Sequence, residues 1–170
     1  MRILHISDFH LSNDDANIAK SQKIVDGLIE AVKTANEKYP IDLVIFSGDA
    51  INKGGEGFAS LNDGFLSFQT ILIEPLMEAL HLPLTNFIWC IGNHDIDRKL
   101  DSKFAEAGIA GKLTSLQAID DFCSDKNNLR DIRRIEPFKS YEKSFYQSAL
   151  GRNYKFGDFE SCYKYQIGNK

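Results

Sequence analysis

The chain has 170 residues, 43% hydrophobic and 26% charged, which is enough for one domain with a real core and too short for two ordinary ones. Its net charge of −4 and isoelectric point near 5.6 exclude a protein that holds nucleic acid through a generic basic face. They leave open an enzyme that acts on nucleic acid, because bound divalent cations reverse the sign of a local site.

The first apolar run, Ile3-Leu4-His5-Ile6, is followed at once by Asp8; it is too short for a secretory core and reads as a strand. No run approaches the roughly 18–20 apolar residues of a membrane span. Cys90, Cys123 and Cys162 are scattered without paired metal-ligand spacing, and an odd count beside apolar runs fits reduced thiols. The expectation is a soluble cytoplasmic protein with no membrane partner.

Ile24, Val25, Leu28, Ile29 and Val32 recur at helical spacing, and Pro40 ends that helix. Leu43-Val44-Ile45-Phe46 is a second strand. After a loop with Gly48, Gly54, Gly55 and Gly57, the residues Leu61, Phe65, Phe68, Leu72 and Leu76 again repeat helically, with Pro75 expected to kink or divide the helix. A third strand is predicted over 87–91. This βαβαβ order implies an α/β fold with a buried, largely parallel sheet. Asp8, Asp49 and Asn93 then fall one to three residues past the C-terminal ends of the strands, the edge where open α/β sheets bind ligands.

From residue 99 the pattern changes. Residues 99–158 read as a helical insertion or cap, with helices near 113–122 and 138–150 and with Tyr141, Phe145 and Tyr146 on one face of the second. The stretch 162–167 reads as a strand, and Gly168-Asn169-Lys170 as the start of a hairpin turn.

The chemistry lies in three short segments. If Asp8-Phe9-His10 stays extended, Asp8 and His10 project to the same side and form half a cage for a divalent ion. Asp49 adds a carboxylate able to bridge two cations, Asn93 a neutral carbonyl oxygen, and His94 a proton donor. Such nitrogen and oxygen donors suit manganese, iron, zinc or magnesium rather than softer ions. Gly48 and Gly92 are expected to let the backbone turn sharply before each ligand.

Asp8-Phe9-His10, Gly48-Asp49-Ala50-Ile51-Asn52 and Gly92-Asn93-His94-Asp95 resemble, in order, the first three motifs of the calcineurin-like metallophosphoesterases, over residues 1 to about 98. The resemblance implies half of a four-layer αββα sandwich. It implies two divalent ions, manganese first, with Asp8 and His10 on one, Asp49 bridging and Asn93 on the other. His94 would act beside the phosphate, with Asp95 orienting its ring, and a metal-bound hydroxide would attack in line. The substrate would be a phosphodiester or phosphomonoester, a nucleotide or nucleic acid among the candidates. Phosphoproteins are disfavoured, because Asn52-Lys53 and Asp95 depart from the Ser/Thr phosphatase pattern.

The family completes its cage with histidines after Asn-His-Asp. Here the four histidines are His5, His10, His81 and His94, and none follows residue 94. The expectation is therefore a single domain over 1–170 that is truncated, its site completed by the C-terminal half of a parent chain or by a partner chain. The alternative is a non-catalytic binding or assembly module that retains the fold.

Plainer roles stand beside these. Asp8 would cap the following helix, Asp49 brace a turn and His94 hydrogen-bond within its loop. Asn52 stabilises a turn at least as readily as it touches substrate. His5 is a core histidine, His81 suits a helix C-terminus, Arg130, Arg133 and Arg134 form a solvated helix face, and Tyr141 to Tyr146 belong to the core rather than to a base-stacking surface.

Overall fold

The computed structural model describes residues 1–97, 99–100, 103–124, 133–147, 154–157 and 161–165. Three parallel strands, β1 (Ile3–Ile6), β2 (Leu43–Phe46) and β3 (Phe87–Trp89), lie in the order β1-β2-β3. The register pairs Ile3 with Leu43 and Val44 with Phe87. Parallel neighbours need crossovers, supplied by α1 (Asp15–Lys38) between β1 and β2 and by α2 (Leu61–Phe68) and α3 (Glu74–Ala79) between β2 and β3.

Leu4, Ile6, Val44, Phe46, Phe87 and Trp89 share one sheet face by strand alternation. They join a single apolar cluster with Val25 and Val32 of α1, Phe65 and Phe68 of α2, and Leu76 and Met77 of α3. Ile24, expected on the buried face of α1, is 54% exposed; Ser21, Val25 and Val32 are the buried residues of that helix. On the opposite sheet face His5 is exposed, and its Nε2 lies 2.7 Å from Ser47 Oγ. It is not a core histidine, because it alternates with the two residues that reach the helices.

The second crossover is divided, as expected near Pro75, into α2 and α3. A π-turn over Gln69–Ile73 precedes α3, and the Glu74 N–H donates to Gln69 C=O. The wider turn moves the i−4 carbonyl away from the ring, and Pro75 then stands in the first turn of α3, where its missing N–H costs nothing. Beyond residue 99 the described residues form α4 (Lys103–Lys112), α5 (Leu116–Ser124) and α6 (Glu136–Phe145). Ser115 Oγ accepts from the Ala118 N–H and starts α5 three residues later than the apolar pattern alone. The 99–158 region is not wholly helical: β4 (Tyr154–Phe156) pairs antiparallel with β5 (Ser161–Tyr163). The strand expected near 162–167 is thus the second of a hairpin rather than the first. Residues 168–170, read as a turn, lie outside the described residues.

Tyrosine hydroxyls cover the outer edge of β3. Tyr146 OH accepts from the Trp89 N–H at 3.2 Å and donates to Phe87 C=O at 2.5 Å, and Tyr163 OH donates to Trp89 C=O at 3.4 Å. Beneath them the buried Glu142 pairs with Lys139 Nζ at 2.8 Å and accepts from Tyr154 OH and Tyr163 OH. Burial pushes the Tyr146, Tyr154 and Tyr163 hydroxyls well above their usual range; Glu142 adds to this at Tyr146 and Tyr154, and Tyr146 and Tyr154 add to it at Tyr163, while hydrogen bonds with Tyr163 pull Tyr146 and Tyr154 back. Tyr141 and Tyr146 are core residues, as expected. The three cysteines are free and exposed. No helix of the described residues is long and apolar enough to cross a membrane.

Tyr146→Phe keeps the ring packing and removes the hydroxyl that serves two edge groups of β3. Leaving those groups without a partner should cost about 1–3 kcal/mol, read as a lower urea midpoint with an unchanged denaturant slope.

Candidate metal centre

The three loops that leave the strands at their C-terminal ends meet at one rim. Asp8 and His10 follow β1 and Asp49 follows β2, while Asn93 lies four residues beyond β3, which ends at Trp89 rather than at 91. The first two loops run on as a hydrogen-bonded pair. Asp8 N–H donates to Gly48 C=O, His10 N–H to Asp49 C=O and Leu11 N–H to Ala50 C=O, at 2.9–3.0 Å.

Asp8-Phe9-His10 is not extended. Asp8, His10 and Asp49 all sit in the left-handed region, with φ of 59°, 53° and 59°. Asp, Asn and His tolerate that region best among non-glycine residues. Even so, such a conformation costs of order 1 kcal/mol or more, and it persists where surrounding contacts enforce it. The side chains still converge: His10 Nε2 is 3.7 Å from Asp8 Oδ1. One ligand atom from each of His10, Asp49 and His94 lies within 4.8 Å of the others. The His10 and His94 rings meet edge to face, 4.8 Å between centroids.

Gly48 has φ of 109°, as a sharp turn requires. Gly92 serves differently: a Cβ there would stand 2.2 Å from Asp49 Oδ1 and 2.3 Å from Asp49 N. Its role is close approach, which lets the β2 and β3 loops touch. His94 N–H then donates to Asp49 Oδ1 at 2.9 Å.

Asp95 is fully buried. Its carboxylate accepts from Ile51 N–H and from Gly92 N–H, each at 3.0 Å. Burial pushes its carboxyl above the usual range and the Asp49 charge adds to that, while the Ile51 and Gly92 donors pull it back. The His94 ring, which Asp95 was expected to orient, instead takes the Lys53 N–H on its Nδ1 at 3.1 Å. Sequence reading did not single out Lys53 for this, because a backbone donor has no residue-type signature; the Gly54-Gly55 that follows was its only trace.

The remaining expected residues separate cleanly. Asn93 is exposed and, with His94, Lys53 and Gly54, lines a cavity of about 240 Å³. Asn52 stabilises a turn: its amide donates to Ser12 Oγ and its carbonyl accepts from Gly55 N–H. Asp14, not Asp8, caps α1. His81 is an exposed left-handed residue after α3 whose N–H donates to Glu78 C=O, as a helix end favours. Arg133 and Arg134 precede α6 rather than forming a face of it, and Arg133 Nε lies 3.4 Å from Glu136 Oε2. Arg130 lies outside the described residues.

The donor set passes a chemical test for a divalent cation. Ligand atoms of His10, Asp49 and His94 meet at one partly exposed rim, with Asp8 beside His10, and nitrogen and oxygen donors suit the borderline and hard divalent ions. Gly92→Ala would force the Asp49 loop away from the β3 loop. It should destabilise the fold by about 1–3 kcal/mol and weaken binding of Mn²⁺ measured by calorimetry.

A comparison with curated proteins gave no match. A scan of protein families matches residues 1–161 to the calcineurin-like phosphoesterases. That match reaches well past the three motifs and takes in most of the region after residue 99. On the strength of this match, joined to the three-loop rim, the chain belongs to the calcineurin-like phosphoesterase family.

Proposed function

We propose that this protein is a metal-dependent hydrolase of phosphodiester or phosphomonoester bonds, with manganese as the leading cation and a nucleotide or nucleic acid among the candidate substrates. The observation that carries the reading is the convergence of His10, Asp49 and His94 within 4.8 Å, beside Asp8, on a family scaffold. Asp8, His10 and Asp49 would hold the first cation, and Asp49 and Asn93 would contribute to a second. Bound cations would supply Lewis-acid stabilisation of phosphoryl charge and a nucleophile at neutral pH.

The protein's own groups do the rest. Asp49 accepts the His94 N–H, which ties the ligand to the proposed proton donor. With Nδ1 occupied by the Lys53 N–H, His94 would use its other ring nitrogen as a donor to the leaving oxygen. The cavity between Lys53-Gly54 and Asn93-His94 would receive the phosphate. A second cation, drawing only on Asp49 and Asn93, would take its remaining protein ligands from a further polypeptide segment or a partner chain.

The second reading is a non-catalytic module that keeps the fold, favoured by the small share of ligands offered to a second cation. Hydrolysis separates the two. With Mn²⁺ and bis(p-nitrophenyl) phosphate, turnover should vanish on adding EDTA and return with Mn²⁺. Asp49→Asn and His94→Ala should each lower it about 10²-fold or more. Variants that match the wild type would overturn the enzyme reading. The same two variants divide the roles: Asp49→Asn should lose Mn²⁺ affinity, and His94→Ala should keep it.

A further inference from the structure

The β2 loop donates three hydrogen bonds to the β3 loop. From the β3 loop, the buried Asp95 carboxylate accepts the Ile51 N–H at 3.0 Å. From the β2 loop, Lys53 N–H donates to His94 Nδ1 at 3.1 Å and Gly54 N–H to His94 C=O at 2.8 Å. Gly54 is left-handed, and a Cβ on it would meet Ile96 C=O at 2.8 Å. The turn that presents the Lys53 N–H is therefore seated from two sides.

A neutral imidazole has one donor nitrogen and one acceptor nitrogen. With Nδ1 accepting from a backbone N–H, the ring proton belongs on Nε2. Coordinating a cation through Nε2 would move that proton to Nδ1, where it would oppose the Lys53 N–H. The ring is thus biased against ligation, even though its nitrogen lies near the ligand atoms of His10 and Asp49.

We propose that the Lys53 backbone N–H, seated by Asp95 through Ile51, is the positioning group that locks His94 in its Nε2–H form and keeps it a hydrogen-bond donor rather than a third cation ligand. The tautomer stands on the loop geometry alone; what the Nε2–H does for substrate rests on the phosphoesterase reading. Asp95 is on this account a positioning residue that acts on His94 through a loop, without touching its ring.

The test uses the metal-free, ¹⁵N-labelled protein. Histidine side-chain spectra should show His94 with an unprotonated Nδ1 and a protonated Nε2, and a scalar coupling across the hydrogen bond should connect Nδ1 to the Lys53 amide nitrogen. Adding Zn²⁺ should shift the His10 ring nitrogens and leave the His94 Nε2 proton in place. Lys53→Ala retains the N–H and should preserve the coupling. Asp95→Asn, which supplies one oxygen where two N–H groups need partners, should abolish it and let both tautomers appear. Gly54→Ala, which displaces the same turn without altering Asp95, gives the same readout if Asp95→Asn does not fold. A protonated Nδ1, loss of the Nε2 proton to Zn²⁺, or a coupling untouched in both loop variants would overturn the proposal. Absent phosphodiester hydrolysis with the tautomer intact would count against the enzyme reading alone.

Discussion

The arrangement at the rim depends on the contact between the β2 and β3 loops, and that contact depends on a missing side chain and a buried carboxylate. A Cβ at Gly92 would stand 2.2 Å from Asp49 Oδ1, far inside van der Waals contact, so the two backbones meet only because one of them is glycine. Once they meet, Asp95 takes an N–H from each loop, Ile51 and Gly92. A buried carboxylate is tolerated when backbone donors satisfy it. The burial that raises its pKa is thus partly offset by the bonds that make it useful. Asp49, His94 and the Lys53 turn all take their places from this junction.

Strain at the rim follows from the same junction. Asp8, His10 and Asp49 are held left-handed where the Asp8 and His10 N–H groups and the Asp49 C=O are committed to the paired β1 and β2 loops. Each residue gives up backbone comfort so that its side chain faces the common point. The sheet beneath supplies the rigidity this requires. Phe46, Phe65, Phe68, Phe87 and Trp89 form a continuous ring cluster with Phe138 and Tyr141, and such aromatic contacts add to the burial of their area.

The two edges of the sheet are treated differently. At β3 the outward backbone groups find tyrosine hydroxyls rather than a strand, so an edge that would otherwise offer a template for pairing is covered. At β1, Ile3 is 41% exposed and no strand lies on the outer side among the described residues. The face carrying His5 is also the less covered one. A parallel sheet is ordinarily buried on both faces, which accords with a partial phosphoesterase fold in which one face and one edge carry the helices and the tyrosines.

Much of this was legible in the sequence. The bounds of β1 and β2, the apolar helices between strands and the position of Asp8 and Asp49 just past the strand ends follow from local pattern, because apolar runs of strand length and helical periodicity are properties of neighbouring residues. The departures arise where a distant group decides. Ile24 faces water because the sheet lies under Val25 and Val32 instead. Strand β4 escaped notice because three residues gain strand geometry only from their partner β5. The motif residues named the chemistry, since carboxylate, imidazole and amide donors carry their ligand preferences with them. Tertiary structure alone decided that Asp95 holds Ile51 and Gly92 rather than His94, and that His94 is held by a backbone N–H. Hydrogen-bond partners are set by where loops meet in space, and a main-chain donor is the same in every residue but proline.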